Sequence, residues 1–289
     1  MVGLRHIALL LTLSVLWPSS SGGLAGTDLG VSEENSGVSL FSKSMSEVLD
    51  REFPNPNISF LLLDAHTGHV LASRWDHPDE PIPMGSLVKP FAALAYGERH
   101  EFRYPEHTCR GTATGCWVPR GHGEVNLSAA IAYSCNSYFR MLTATLSAAD
   151  VSLIAIGFGI EAPARATSGP ALAGVGTEWR ISPLRMAHAY LELVRRRQQP
   201  GVHQIVDGMA QSARRGTGAE VHRSLPFPDA LVKTGTASCT HSRHVPGDGF
   251  TVAIVPADQP QILLLVRVHG VPGAQAATTA GQMLRRVEE

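Results

Sequence analysis

Leu231-Val232-Lys233-Thr234-Gly235-Thr236-Ala237 is the stretch whose reading decides the fold. It is the first of three strand candidates. Phe250 to Val255 and Gln261 to Val268 follow it, and a helix from about Gly273 to Val287 closes the chain. Far upstream, Ile58 to Leu63 and His69 to Ser73 are apolar runs parted by Asp64-Ala65-His66-Thr67-Gly68, which reads as a hairpin with a short glycine-containing loop. The segments between are helical. Phe41 to Phe53 has helical apolar spacing and stops before Pro54. Ser86 to Gly97 carries Pro90 in its first turn, where a missing N–H costs little. One or two helices run from Asn126 or Leu127 to about Ser147, interrupted near Ser134-Cys135-Asn136, and Asp150 to Gly157 is another. Ser182 caps a helix with Pro183 at its first position that reaches about Arg197. Residues 98 to 126 are loop-rich. The order is hairpin, helices, strands, helix, and such segregation predicts an α+β fold rather than a doubly wound sheet.

The opening strand contains one of three short motifs. Ser86-Leu87-Val88-Lys89 comes first, Ser134-Cys135-Asn136 second and Lys233-Thr234-Gly235-Thr236 third. Each recurs by chance; together they suit acyl transfer built on serine and lysine. Ser86 and Lys89 are three residues apart and share a helix face. A serine hydroxyl is a weak nucleophile until a base takes its proton. A lysine is that base only when desolvation or nearby positive charge lowers its pKa, and Lys233 would supply such charge. Ser134 and Asn136, two apart on a bend, can both enter a cleft while Cys135 points away. Ser134 would then shuttle a proton, and Asn136 would bond a substrate amide. On a strand, strict alternation puts Lys233 and Gly235 on one face and Thr234 and Thr236 on the other. Gly235 is expected to let substrate approach the strand backbone.

Composition bounds the alternatives. The chain has 289 residues, 44% of them hydrophobic and 17% charged, enough for a sizeable packed core. A net charge of −1 gives no case for nucleic-acid binding. Arg5-His6 followed by the apolar run Ile7 to Trp17 reads as a secretory leader, with Gly23-Leu24-Ala25 as its small-residue cleavage site; an uncleaved amphipathic anchor is the other reading. The expected layout is a signal peptide over 1–25, a lead-in over 26–40 and a catalytic domain over 41–289, with a helical subdomain at about 98–225. Export implies an oxidising compartment. Cys109 and Cys116 then either bridge locally or stay free and buried, as Cys135 and Cys239 also can. No cofactor and no metal is expected, because Cys239-Thr240-His241-Ser242-Arg243-His244 matches no standard zinc spacing. Arg195-Arg196-Arg197 reads as a solvated helix end.

From about residue 41 onward the chain resembles the transpeptidase domain of penicillin-binding proteins. The likeness is carried by Leu63 to Ala72, by Met84-Gly85-Ser86-Leu87-Val88-Lys89-Pro90-Phe91, by Ala130 to Phe139 and by Ile181-Ser182-Pro183-Leu184-Arg185-Met186-Ala187. The resemblance implies an antiparallel sheet of about five strands flanked by helices, with an inserted all-helical subdomain. It implies a penicillin-binding serine acyltransferase acting on D-Ala-D-Ala peptidoglycan stem peptides, a D,D-transpeptidase or D,D-carboxypeptidase, through an acyl-Ser86 intermediate. Ser86, Lys89, Ser134 and Lys233 would be catalytic; Asn136, Thr234, Gly235 and Thr236 would bind substrate. The N–H groups of Ser86 and Thr236 would form the oxyanion hole, and Lys233 with the threonine hydroxyls would hold the substrate carboxylate. β-Lactams would trap Ser86, and a separate glycan polymerase or cell-wall protein would be a partner, the enzyme working in the periplasm or outside the membrane. A serine β-lactamase and a non-turnover β-lactam sensor are the alternatives. Asn136 argues against one lactamase class, and Glu178 sits in a context unlike the deacylating glutamate of another. Gly249-Phe250-Thr251 replaces the family's aromatic-rich strand.

Overall fold

The computed structural model describes residues 43–225, 229–238 and 247–288. The leader and lead-in expected over 1–40, and Cys239, His241 and His244, lie outside them.

A first helix, α1, is described over residues 43–52. Strands β1 (Ile58–Asp64) and β2 (Val70–Arg74) form the expected hairpin. Its turn is set by Asp64, whose Oδ1 accepts from the N–H groups of His66 and Thr67 at 2.9 and 2.7 Å. The two-residue strand β3 (Ile82–Pro83) leads into a 3-10 turn, Gly85–Val88, which runs into α2 (Lys89–Arg99). Short strands β4 (His107–Cys109) and β5 (Gly123–Val125) pair across a long glycine-rich loop. Helices α3 (Leu127–Ala132), α4 (Asn136–Thr143), α5 (Ala148–Gly157) and α6 (Gly169–Leu172) follow. Asn126 caps α3, and Ser147 with Asp150 forms a capping box on α5. Strand β6 (Arg180–Ile181) pairs with β3, and Ser182 caps α7 (Pro183–Arg195) as its sequence predicts.

Two helices, α8 (Val202–Arg215) and α9 (Ala219–Ser224), were not expected. The apolar residues of α8, Val202, Ile205, Val206, Met209, Ala210 and Ala213, fall at helical spacing, and Ser212 and Gly208 are buried beside them. The small residue has a reason: a side chain at Gly208 would sit 2.6 Å from Ile131 Cβ, where α8 crosses α3.

Strands β7 (Leu231–Ala237), β8 (Asp248–Val255) and β9 (Ile262–Val268) and helix α10 (Gly273–Glu288) complete the chain. The main sheet runs β2-β1-β9-β8-β7, antiparallel throughout. Its central strands are buried on both faces, which is why they read as unbroken apolar runs. Leu61, Leu63, Val252, Ile254, Leu263 and Leu265 face one core with Phe91 of α2 and Tyr190 of α7. Phe60, Leu62, Ala253, Leu264 and Val266 face the other, with Leu49 of α1 and Ala280, Met283 and Leu284 of α10. Each fully buried leucine contributes about 1.5–3 kcal/mol, so the sheet is the rigid layer of the molecule. Strand β7 is its edge.

The triple arginine is a solvated end only in part, with Arg195 exposed and Arg196 and Arg197 half-buried. Arg195 donates to the carbonyls of Ala65 and His66 and Arg197 to that of Asp258, in loops, while Arg196 donates to that of Gly157 at the C-terminal end of α5. Among the described residues, no single helix is long and apolar enough to cross a membrane.

Candidate active site

The three motifs meet in one cleft at the sheet edge, of about 420 Å3. Ser86, Ser134, Asn136, Thr234, Gly235 and Thr236 all line it. Ser86 is half-buried on the 3-10 turn before α2. Two glycines let that turn press against β7. Gly85 has φ +56°, and a Cβ there would lie 2.1 Å from the carbonyl oxygen of Thr236. A Cβ at Gly235 would lie 2.6 Å from the carbonyl oxygen of Met84 and 3.0 Å from Leu87 Cγ. The missing side chain of Gly235, which also lines the cleft, makes room for the nucleophile's own turn. Tyr190, wholly buried, donates to the carbonyl of Leu87 at 2.8 Å and holds the turn from behind.

Lys89 has no exposed surface. Its Nζ donates to the Ser134 carbonyl at 2.8 Å and to Asn136 Oδ1 at 2.6 Å, and lies 3.3 Å from Ser134 Oγ. Burial pulls its pKa down to about 7. Ser134 adopts φ +51°, a left-handed conformation uncommon for a residue with a side chain. That twist, between α3 and α4, points Ser134 and Asn136 into the cleft while Cys135 is fully buried behind them.

Lys233 is also fully buried. Its Nζ donates to Ser134 Oγ at 3.0 Å and to the Thr234 carbonyl at 2.6 Å. Burial, and then the charge of Lys89, hold its pKa well below the ordinary lysine value. The ammonium therefore stands behind the cleft wall instead of on its surface. The resemblance implied that Lys233 grips a carboxylate directly; the geometry makes it a partner of Ser134.

Strand alternation now has an account. Leu231, Lys233 and Gly235 face the helices that carry Ser134 and Ser86, while Val232 packs in the opposite core. Thr234 and Thr236 point the other way, yet both line the cleft because β7 is an edge strand and the cleft wraps its rim. The Thr234 hydroxyl bonds that of Thr217 at 2.6 Å, and the Thr236 hydroxyl accepts from the Gly273 N–H at 3.0 Å.

Sequence reasoning missed Thr217 and Trp117, both of which line the cleft. Thr217 lies in Gly216-Thr217-Gly218, and both glycines are obligatory: a Cβ at Gly216 would meet the Ala132 carbonyl oxygen at 2.2 Å. That Gly-x-Gly between α8 and α9 was the available signal. Trp117 is 54% exposed on a loop with no periodicity to read. Glu178 is exposed and accepts from the neighbouring Thr177 N–H at 2.8 Å. No carboxylate is found among the described residues that line the cleft.

The cysteines form no bridge among the described residues: Cys109, Cys116 and Cys135 are all free and buried. Their sulfurs instead gather with His122, within 4.8 Å of one another.

Against known families, residues 58–288 match the penicillin binding protein transpeptidase domain. Compared with curated proteins, the chain has no significant match. Among solved structures it is similar to Pseudomonas aeruginosa PBP2 in complex with WCK 5153, at 18% identity and TM-score 0.70, covering 85% of this chain and 73% of that one. It is similar to Helicobacter pylori PBP2 in complex with MreC, at 16% identity and TM-score 0.73, covering 85% and 62%. The transpeptidase domain of Burkholderia pseudomallei penicillin-binding protein 3 aligns at 16% identity and TM-score 0.64, covering 88% and 92%. At these identities the likeness establishes the fold.

Proposed function

The chain belongs to the penicillin-binding protein transpeptidase family, and from that premise we propose that it is a D,D-transpeptidase or D,D-carboxypeptidase working through an acyl-Ser86 intermediate on D-Ala-D-Ala stem peptides. The observation that carries the reading is Lys89: a buried amine with a lowered pKa, bonded to both polar residues of the second motif, beside the cleft that Ser86 lines.

In its neutral form Lys89 has two hydrogens and one lone pair. The Ser134 carbonyl and Asn136 Oδ1 take the hydrogens, which leaves the lone pair for a proton. Ser86 Oγ attacks the peptide carbonyl and its proton passes to Lys89 Nζ. The N–H groups of Ser86 and Thr236 are assigned to the oxyanion, each such donor being worth about 3 kcal/mol in the transition state. The proton then travels through the Ser134 hydroxyl, which lies between Lys89 and Lys233, to the departing D-alanine amine. The C–N bond breaks and leaves the Ser86 ester. An amine of a second stem peptide, or water, attacks that ester and regenerates the hydroxyl. Thr234, Thr236 and Asn136 hold the substrate's polar groups, with the field of Lys233 behind them.

The absence of a carboxylate among the described cleft residues favours this reading over a β-lactamase, because no carboxylate there assists Lys89 in activating water against a penicilloyl ester. We place the protein outside the cytoplasmic membrane, its leader removed near Ala25, with a cell-wall protein as partner in the manner of the Helicobacter pylori PBP2–MreC complex. Intact-mass spectrometry over hours tests the chemistry. A stable penicillin adduct on Ser86 is expected, absent in Ser86→Ala, together with catalytic D-alanine release from a D-Ala-D-Ala peptide. Rapid turnover of penicillin, or an adduct that survives Ser86→Ala, would overturn it.

A further inference from the structure

We propose that Cys109, Cys116, His122 and Cys135 bind a structural zinc ion that holds the second motif and Trp117 in place. Cys109 ends β4, His122 precedes β5, and the pairing sets Cys109 opposite Gly123. Cys135 is the middle residue of Ser134-Cys135-Asn136, some distance along the chain but adjacent in space.

The spacing of the donors fits a tetrahedron. Zn–S bonds of about 2.3 Å and Zn–N bonds of about 2.05 Å put neighbouring sulfurs roughly 3.8 Å apart, and sulfur and nitrogen roughly 3.6 Å apart. His122 Nδ1 lies 3.6 Å from Cys109 Sγ and 3.6 Å from Cys116 Sγ, and the sulfurs of Cys116 and Cys135 are 3.9 Å apart. A disulfide would use two sulfurs and strand the third with the imidazole; a metal uses all four donors. Three thiolates and an imidazole in a closed tetrahedral set are a zinc donor set, with no position open for substrate. The three thiol protons leave to solvent as the ion enters.

The surrounding chain is built as a cage. N–H groups of Gly111 and His122 point at the Cys109 sulfur, and that of Tyr138 at Cys135. His122 stacks on Tyr133, with ring centroids 5.3 Å apart, which fixes the imidazole plane. Gly111 and Gly121 have positive φ; a Cβ on the first would lie 2.0 Å from the Pro119 carbonyl oxygen, and on the second 2.1 Å from that of Cys109. Between Cys109 and His122, Cys116 is the one buried side chain. The loop thus has no apolar core of its own, and the sulfurs are all it can fold around. A cross-link there does what hydrophobic burial does elsewhere.

The ion would fix two parts of the cleft wall at once. Cys135 is bonded in sequence to Ser134 and Asn136, and Cys116 to Trp117; Ser134, Asn136 and Trp117 all line the cleft. The ion is a positioning element and touches no reacting atom. Its effect on acylation rests on the acyl-transfer reading above, whereas its binding does not.

The whole chain, purified reduced and without added metal salts, should carry a single zinc per chain by elemental mass spectrometry. After stripping with a chelator under reducing conditions, Co(II) should give thiolate-to-cobalt charge-transfer bands and the visible ligand-field bands of a tetrahedral site. Cys116→Ser and His122→Ala should weaken those bands. Because a ligand variant can lose the loop altogether, the spectrum of the unsubstituted chain carries the decision. Stripping should slow fluorescent-penicillin labelling on the order of 100-fold, since an ångström of misplacement costs about that much, and zinc should restore it. A reduced chain that labels normally and binds neither zinc nor Co(II), or a chain purified lighter by two hydrogens with a disulfide among these cysteines and no metal, would overturn the proposal. Unchanged labelling after stripping would overturn its positioning role. A chain that binds zinc and never labels would instead sink the acyl-transfer reading and leave the site standing.

Discussion

The two walls of the cleft are held up by different forces. One is β7 with the Ser86 turn pressed onto it. Its support is the sheet, whose central strands are buried on both faces and whose edge glycines allow backbone-to-backbone contact. The other carries Ser134, Asn136 and Trp117. It hangs on the α3–α4 break and on a loop in which Cys116 is the only buried side chain between Cys109 and His122. Apolar burial is distributed and tolerant, so the first wall degrades gradually when disturbed. A cluster of four donors is concentrated, so the second should fail as a unit. The two lysines bridge them: Lys89 rises from the turn and Lys233 from the strand, and both reach Ser134.

The largest effect that separates their roles is expected at Lys89. Lys89→Ala removes the base and should slow labelling of Ser86 by about 10²–10⁴-fold. Lys233→Ala leaves the base bonded to the second motif and takes one donor from the Ser134 hydroxyl, so its loss should be smaller. Rapid-quench labelling with fluorescent penicillin compares them. Equal losses would mean that the lysines act as one unit and that the division between walls is wrong.

The pH profile sharpens the same point. Only the neutral amine can accept the Ser86 proton. With burial holding the Lys89 pKa near 7, the acylation rate should fall about tenfold per pH unit below 7 and level off above it. A rate still climbing steeply from pH 8 to 10 would place the ionisation at an ordinary lysine and refute the lowered pKa.

Gly235→Ala tests the sheet wall. The new methyl would sit 2.6 Å from the Met84 carbonyl oxygen and must push the Ser86 turn away. Overpacking of this kind costs about 1–3 kcal/mol. A lower melting temperature and a slower labelling rate should appear together. A variant with native stability and rate would show that the turn and the strand are not in firm contact.

This contrast also explains what the sequence disclosed. The strands from Phe250 and Gln261 are legible because buried central strands leave continuous apolar runs, the edge strand from Leu231 because it carries the third motif, and helix α7 because Ser182-Pro183 is an unambiguous start. The three motifs are legible because their chemistry needs fixed residue types. Helix α8 was legible and was overlooked: Val202, Ile205, Val206, Met209, Ala210 and Ala213 fall at helical spacing, although glycine occupies its contact with α3. The resemblance puts Lys233 at the cleft edge; its burial comes from a partner far away in sequence, Ser134 Oγ, which no local pattern discloses. The cysteine cluster is hidden too. Cys109 and Cys116 are near neighbours that invite a local bridge, while Cys135 lies inside a catalytic motif and His122 is one histidine of thirteen. Only the fold brings them together.

The smallest effect should come from Thr217→Val, at the join between α8, α9 and β7. Valine keeps the shape and removes the hydroxyl that pairs with Thr234 Oγ1 at 2.6 Å. Thr217 is half-buried, so water can replace part of the lost bond, and folding stability should change little. The free Thr234 hydroxyl, however, loses its fixed direction toward the cleft. A single neutral hydrogen bond is worth about 0.5–1.5 kcal/mol, which corresponds to roughly a 2- to 10-fold weaker capture of a D-Ala-D-Ala peptide. The loss should appear in kcat/KM for the peptide, while the labelling rate at saturating penicillin stays close to that of the native chain, because Ser86, Lys89 and Ser134 are untouched. A loss confined to that saturated labelling rate would assign Thr217 to the proton path. A melting temperature lowered as far as in Gly235→Ala would instead make Thr217 part of the sheet wall's packing, and orientation of the Thr234 hydroxyl would no longer be its function.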